Sequence, residues 1–170
     1  MSAPLIVTLR LDAEAFERLD ELRRAHFPPE RNVLSAHLTL FHHLPGEAEG
    51  EVLDALRAAV ARPPIPLRVD APFSLGRGVA FRVAAPELVA LRGTLLRGWE
   101  ESMPDALTAQ DRQGFRPHVT VQNKADPADA RALLAELAED FEPWPATGEA
   151  LQLWRYLGGP WEPAGEAGFG

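Results

Sequence analysis

The sequence contains no cysteine among its 170 residues. This absence excludes disulfide bonds, thiol nucleophiles, iron–sulfur clusters and cysteine-based zinc sites. Lysine is almost as rare, because Lys124 is the only one and all other basic residues are arginines. No apolar run reaches the roughly 20 residues of a membrane span, and the N-terminus lacks the pattern of a signal peptide. The sequence therefore predicts a cytoplasmic protein that does not enter a membrane.

Four widespread catalytic motifs are missing as well. The chain has no G-x-S-x-G elbow, no G-x-x-x-x-G-K-[ST] loop, no G-x-G-x-x-G after a strand and no H-E-x-x-H. Each of these patterns places a particular catalytic or ligand-binding group, so their absence argues against the enzyme classes that depend on them. The chemistry has to be sought in other residues.

The charge balance is acidic, with 17 Lys and Arg residues against 25 Asp and Glu residues and a formal net charge of −8. Such a surface repels long nucleic acids unless a local basic patch compensates. Long duplex nucleic acid is therefore not expected as a partner, whereas a small phosphorylated substrate is compatible with this charge. Hydrophobic residues at 46% and charged residues at 25% are typical of a globular domain.

The hydrophobic pattern alternates between strand-like and helix-like segments. Apolar residues spaced three or four apart predict four helices, whose stripes begin at Phe16, Val52, Leu88 and Leu133. Short β-rich runs predict six strands, at residues 5–11, 36–42, 65–73, 79–83, 118–123 and 149–157. The Gly- and Pro-rich segment after Gly158 predicts a loose tail.

The order of these elements repeats once along the chain. Each half contains a strand, a helix, a strand, a helix and a strand, and each carries a His-x-Thr strand followed by a helix and a Pro-rich turn. We predict one bilobal α+β domain over residues 1–170, with two pseudo-symmetric β-α-β-α-β lobes. The first lobe covers residues 1–76 and the second covers residues 77–160, and residues 161–170 form the tail.

The two His-x-Thr sequences are the candidates for the chemistry. Side chains alternate between the faces of a strand, so His37 and Thr39 share one face, and His118 and Thr120 do the same. A pseudo-two-fold axis brings the two pairs face to face around one small volume. Two imidazoles can divide acid and base work, and two hydroxyls can donate to anionic oxygens. This arrangement suits in-line displacement at phosphorus without a metal ion or other cofactor.

The sequence resembles the two-histidine (2H) phosphoesterases, and among them the 2′-5′ RNA ligases, or RNA 2′,3′-cyclic phosphodiesterases. The resemblance rests on His37-Leu38-Thr39-Leu40 and on Arg116-Pro117-His118-Val119-Thr120-Val121. It implies a bilobal α+β fold with largely antiparallel sheets and helices outside. It also implies that His37 is the proton donor, that His118 is the proton acceptor and that the two threonines hold the phosphate.

The predicted function is metal-independent hydrolysis of a 2′,3′-cyclic phosphate or a similar small phosphodiester, such as a cyclic phosphate at an RNA end. Two alternatives use the same site, namely 2′-5′ ligation of RNA ends and hydrolysis of another cyclic nucleotide. A third is a module that binds phosphate or RNA ends without turnover. Unperturbed histidines predict a rate maximum between roughly pH 6 and 8. We expect a monomer.

Three further residues are possible contacts to the substrate. Lys124 lies on the face of the second His-Thr pair if the strand alternation continues, Arg77 stands between two glycines in a turn, and His43 shares the face of the first pair. His42 is expected to point away from that pair. The predicted cleft offers no carboxylate or further histidine placed to complete a metal site, so we expect no bound metal.

Overall fold

Seven antiparallel strands form one sheet in the computed structural model, which describes residues 2–170. The strands are β1 (Leu5–Leu11), β2 (Leu38–Leu44), β3 (Ile65–Ser74), β4 (Val79–Ala84), β5 (His118–Gln122), β6 (Trp144–Tyr156) and β7 (Trp161–Gly168). The helices are α1 (Ala13–His26), α2 (Glu49–Ala59), α3 (Pro86–Ser102), α4 (Ala109–Arg112) and α5 (Pro127–Glu139). All predicted helices and strands are present, and α4 and β7 are additional.

The sheet order exchanges strands between the two sequence halves. The order is β2-β1-β6-β3-β4-β5, and β7 pairs with β6 beyond the end of β3. The third strand of each half therefore pairs with the first strand of the other half, because β6 pairs with β1 and β3 pairs with β4. The lobe boundary predicted between residues 76 and 77 falls in the turn that joins β3 and β4. These two strands are hydrogen-bonded to each other.

The sheet curls so that β2 and β5, the outermost members of the strand order, come into contact. These are the two strands that carry the His-x-Thr sequences. The α+β class with an antiparallel sheet, expected from the element pattern and the resemblance, is confirmed. The curl is what turns two distant sequence motifs into neighbours.

Strand β7 stands where the composition predicted a loose tail, so that prediction was wrong. Residues 161–168 pair with β6 from Tyr156 back to Ala150. The strand lies close to α2, because a Cβ atom at Gly165 would come within 2.9 Å of the Leu53 side chain. The long β6 offers a free backbone edge beyond β3, and pairing with that edge outweighs the low strand propensity of Gly and Pro.

The helices pack on the sheet through the apolar stripes that the periodicity predicted. Contacts join α1 to β5, α5 to β3 and α2 to β7, and the buried stripe residues include Leu19, Leu56, Leu88 and Leu133. Helix α1 begins at Ala13 because Asp12 accepts a hydrogen bond from the Ala15 backbone at 3.0 Å. Within residues 2–170, no helix combines the length and apolar character that crossing a membrane requires.

Candidate active site

The two predicted His-Thr pairs line the same small cavity, whose volume is about 200 Å³. His37 immediately precedes β2, which contains Thr39, and His118 is the first residue of β5, which contains Thr120. The structure thus brings together all four residues that the sequence singled out. The remaining lining residues are Ile6, His42 and Trp161.

Each histidine ring is held by the same backbone contact. His37 Nδ1 lies 2.8 Å from the carbonyl oxygen of Ser35, and His118 Nδ1 lies 2.9 Å from that of Arg116. A carbonyl oxygen can only accept, so Nδ1 donates and carries the hydrogen in both rings. In the neutral form the lone pair is then on Nε2, at the opposite edge of the ring. Both rings are therefore oriented alike for proton transfer through Nε2.

Each histidine also packs against one aromatic side chain. The ring centroids of His37 and Trp161 are 4.8 Å apart, and those of His118 and Phe73 are 6.1 Å apart in an edge-on arrangement. Trp161 is supported in turn by Trp154, at 6.0 Å between ring centroids. Sequence reasoning did not place the tryptophans in the site, because packing in a core is the commoner use of this side chain.

The environment of His37 lowers its pKa to about 4. Burial is the largest cause, and the positive charges of Arg23, His118 and His42 act in the same direction, while the hydrogen bond to Ser35 opposes them. At neutral pH the substrate-free protein therefore holds His37 as a neutral imidazole.

We expect replacement of Trp161 by alanine to raise the pKa of His37 toward 6.5, its unperturbed value, because water then reaches the ring. An NMR titration of the His37 ring protons measures this shift. The matched control is Trp161→Phe, which keeps an aromatic cover and should keep the low pKa. If the pKa stays near 4 in the alanine variant, groups other than the indole exclude water from His37.

A β-bulge follows the threonine of the first motif. Strand β2 pairs with β1 through Thr39 opposite Thr8 and then through Phe41 opposite Val7, so Leu40 is the additional residue. Leu40 and Phe41 are both buried. The bulge inserts one residue and thereby reverses the alternation of faces just beyond it, before a second irregularity between Phe41 and Leu44.

The bulge exchanges the predicted placements of His42 and His43. Simple alternation placed His43 on the face of His37 and His42 on the opposite face, and this was wrong. His42 lines the cavity together with His37, whereas His43 is exposed and does not line it. His42 is therefore a residue of the site that sequence reasoning missed, and nothing in the H-x-T pattern indicates the bulge.

Strand β5 carries the same irregularity one residue beyond its threonine. The strand then ends at Gln122, and Lys124 follows in a turn with a positive φ of 58°. Lys124 is exposed and does not line the cavity, so its predicted place beside His118 was wrong. Arg77 lies in the β3–β4 turn, where its Nε donates to the carbonyl oxygen of Ala125 at 3.0 Å, and it does not line the cavity either.

Asp111 on α4 fixes the backbone that follows the first bulge. Its side chain is fully buried, and it accepts hydrogen bonds from the backbone N–H groups of His42 at 2.8 Å and of His43 at 2.9 Å. Burial by itself raises the pKa of this carboxyl, but the hydrogen bonds from His42 and His43 outweigh burial and leave the pKa lowered. The ionised carboxylate therefore holds His42 at the cavity.

Each motif strand is connected by one buried arginine to a helix of the other sequence half. Arg23 of α1 donates from Nη1 to the carbonyl oxygen of Thr120 at 3.0 Å. Arg92 of α3 donates from Nε to the carbonyl oxygen of Leu40 at 3.1 Å. Each arginine is only 4% exposed. These reciprocal contacts fix the two His-Thr pairs relative to each other.

Metal ligation is not favoured by the residues at this site. Within residues 2–170, no group of three or more His, Asp or Glu side chains is arranged to hold a metal ion. The nearby carboxylate of Asp111 is already engaged by two backbone N–H groups. The polar side chains that line the cavity are the imidazoles of His37, His42 and His118 and the hydroxyls of Thr39 and Thr120.

The fold is shared with several solved structures. TT0787 of Thermus thermophilus is 19% identical, with a TM-score of 0.69 and coverage of 98% of this chain and 97% of that one. Escherichia coli LigT complexed with 3′-AMP is 19% identical, with a TM-score of 0.62 and coverage of 99% of both chains. A protein described as a phosphoesterase is 21% identical, with a TM-score of 0.64 and 99% coverage of both chains.

The sequence itself identifies the family. Among proteins with curated descriptions, none matches this sequence significantly. The family profile described as the 2′-5′ RNA ligase superfamily matches residues 11–160, which include both His-x-Thr motifs. Since this match spans most of the chain, the protein belongs to the 2′-5′ RNA ligase superfamily of two-histidine phosphoesterases.

Proposed function

We propose that the protein is a metal-independent phosphoesterase that hydrolyses a 2′,3′-cyclic phosphate or a similar small nucleotide phosphodiester. The observation that carries this proposal is the single cavity shared by both His-Thr pairs. A phosphorus atom bound there is close to two imidazoles and two hydroxyl donors at once. E. coli LigT, which has this fold, has been solved with 3′-AMP, with ATP and with phosphate.

In the proposed reaction, Nε2 of His118 accepts a proton from water while the water oxygen attacks phosphorus. The bond from phosphorus to one ribose oxygen breaks, and His37 gives a proton to that oxygen. The products are a phosphate monoester and a free ribose hydroxyl. Thr39 and Thr120 donate to the non-bridging oxygens as their negative charge grows. With a ribose 5′-hydroxyl in place of water, the same groups would form a 2′-5′ bond, which is the ligation alternative.

The lowered pKa of His37 determines when this residue gains its proton. In the substrate-free protein the pKa is about 4, which leaves the imidazole neutral at pH 7. A phosphate anion bound beside the ring favours the charged imidazolium and raises the pKa again. For His37 to act as the proton donor, the proposed mechanism requires this residue to take up its proton as the substrate binds.

Turnover of 2′,3′-cyclic AMP in the presence of excess EDTA tests the proposed function. We expect turnover to persist, because the proposed mechanism uses only protein side chains. Loss of activity with EDTA, restored by magnesium, manganese or zinc, would place the chemistry on a metal ion. Binding of cyclic nucleotides and of short RNAs with a cyclic phosphate end, without any turnover, would instead support the binding module.

A further inference from the structure

A second cavity opens beside His118 and has a volume of about 290 Å³. It shares Thr39, His42 and His118 with the catalytic cavity, so the two spaces are continuous at these residues. Three arginines line it, namely Arg82, Arg92 and Arg116, and no aspartate or glutamate is among its lining residues. In a protein with a net charge of −8 this is a local concentration of positive charge.

Two of these arginines have unused hydrogen-bond donors. The side chains of Arg82 and Arg116 are exposed. Within residues 2–170, neither side chain forms an ion pair or a hydrogen bond. Six other arginines form ion pairs with carboxylates, namely Arg10, Arg24, Arg57, Arg62, Arg68 and Arg155. Arg92 differs, because its Nε and Nη2 already donate to carbonyl oxygens in the buried core. Arg82 and Arg116 are thus the cations available to a ligand.

Both available arginines are positioned by the elements that hold His118. Arg82 lies directly opposite His118 in the β4–β5 ladder, so their side chains share one face of the sheet. The Arg82 guanidinium lies 4.7 Å from the centre of the Phe73 ring, which also packs against His118. Arg116 provides the carbonyl oxygen that accepts the hydrogen bond from His118 Nδ1. The Arg82 guanidinium is thereby held close to His118, and the backbone of Arg116 is held beside the same ring.

The cavity on the other side of the catalytic centre has a different character. It has a volume of about 600 Å³ beside His37, and its lining includes Trp154 and Trp161. Its one lining arginine, Arg10, lies 2.8 Å from Glu166 and 3.9 Å from Glu149, so its charge is compensated. This side suits an uncharged aromatic group, and the His118 side suits an anion.

We propose that Arg82 and Arg116 bind a second phosphate group of the substrate, beyond the phosphate that reacts. The inference rests on the proposed function, because it takes the scissile phosphate to lie between His37 and His118. The substrate class is then a nucleotide phosphodiester that carries a further phosphate, and a simple cyclic mononucleotide is a poorer substrate. The further phosphate is either a terminal group on the same nucleoside or the next diester of an RNA chain.

Calorimetric binding of two nucleotides to the full-length protein tests the inference independently of turnover. The ligands are 3′-AMP and adenosine 3′,5′-bisphosphate, which differ by one phosphate. Because arginine forms charge-assisted hydrogen bonds with phosphate, we expect the bisphosphate to bind about tenfold more tightly or better. Higher salt should narrow this ratio, since both arginines are exposed. Equal affinities of the two ligands would overturn the inference.

Charge-removing variants locate the effect. The double variant Arg82→Gln/Arg116→Gln should bind both nucleotides with nearly equal affinity. The matched control is Arg57→Gln/Arg131→Gln, which removes two exposed positive charges, on α2 and α5, from residues that do not line the cavity. If the control reduces the ratio as strongly as the double variant, the preference reflects overall charge and not a built subsite.

Turnover distinguishes the source of the second phosphate. The substrates are 2′,3′-cyclic AMP, its 5′-phosphorylated form, and an RNA dinucleotide that ends in a cyclic phosphate. A gain for the dinucleotide alone indicates an RNA end, and a gain for the 5′-phosphorylated mononucleotide indicates a terminal phosphate. If no substrate turns over but the bisphosphate still binds more tightly through Arg82 and Arg116, the proposed function fails and the phosphate subsite stands.

Discussion

Replacement of either His37 or His118 by alanine should lower the rate of cyclic phosphate hydrolysis by about two orders of magnitude or more, the usual contribution of a positioned acid or base. The two effects should be similar in size, because the base and the acid act in the same step. The imidazole that remains in either variant cannot perform both proton transfers. Replacing Thr39 or Thr120 by alanine should cost less, about 1–3 kcal/mol of transition-state stabilisation, since each removes one hydrogen bond to a charged oxygen.

The matched control for these variants is His43→Ala. His43 follows the same motif, but it is exposed and does not line the catalytic cavity, so its removal should leave the rate unchanged. Steady-state kinetics of the purified variants, with thermal unfolding as a check of folding, provide the measurement. A variant that lacks His37 or His118 and retains wild-type activity would exclude the paired mechanism.

Replacement of Asp111 by alanine should destabilise the folded protein by about 3 kcal/mol or more, because buried N–H groups lose a charged acceptor. The carboxylate is fully buried and accepts hydrogen bonds from the backbone of His42 and of His43. Without it, the segment after the first bulge has no acceptor for two donors. We expect a lower midpoint of urea unfolding and a weakened active site, since His42 enters the cavity from this segment.

The pH dependence gives a second signature of Asp111. Its pKa in the folded protein is lowered, so its contribution to stability is complete above the unfolded pKa of about 4 and is lost as the pH falls through the folded value. The alanine variant should therefore show a weaker loss of stability in acid. Asp54→Ala is the control, because Asp54 is 79% exposed on α2 and should change stability by less than about 0.5 kcal/mol. Equal stabilities of wild type and Asp111→Ala would show that the buried carboxylate is not needed.

Local sequence patterns determined the elements of this protein and its main catalytic residues. Apolar spacing predicted the four long helices, and the β-rich runs predicted six of the seven strands. Both features depend on neighbouring residues and are therefore readable along the chain. The two His-x-Thr pairs were found for the same reason, because the alternation of side chains over three residues is a local property. The acidic charge and the lack of cysteine limited the possible chemistry before any geometry was known.

The tertiary structure alone decided which other residues reach the site. The bulge after Thr39 brings His42 into the cavity and leaves His43 outside, because one inserted residue reverses the alternation that the prediction assumed. Trp161 covers His37 because β7 pairs with the free edge of β6, a contact between strands that composition cannot indicate. Arg82 reaches His118 through the β4–β5 ladder, a pairing of residues far apart in the chain.

The convergence of the two motifs also required the fold. The strands that carry them stand at opposite ends of the strand order and meet because the sheet curls, and buried Arg23 and Arg92 then hold them in register with helices of the other half. Local sequence determines which face a side chain takes along a regular strand. Bulges, sheet curvature and strand pairing between distant segments depend on the packing of the whole chain, and these decided the shape, the charge and the proton affinities of the site.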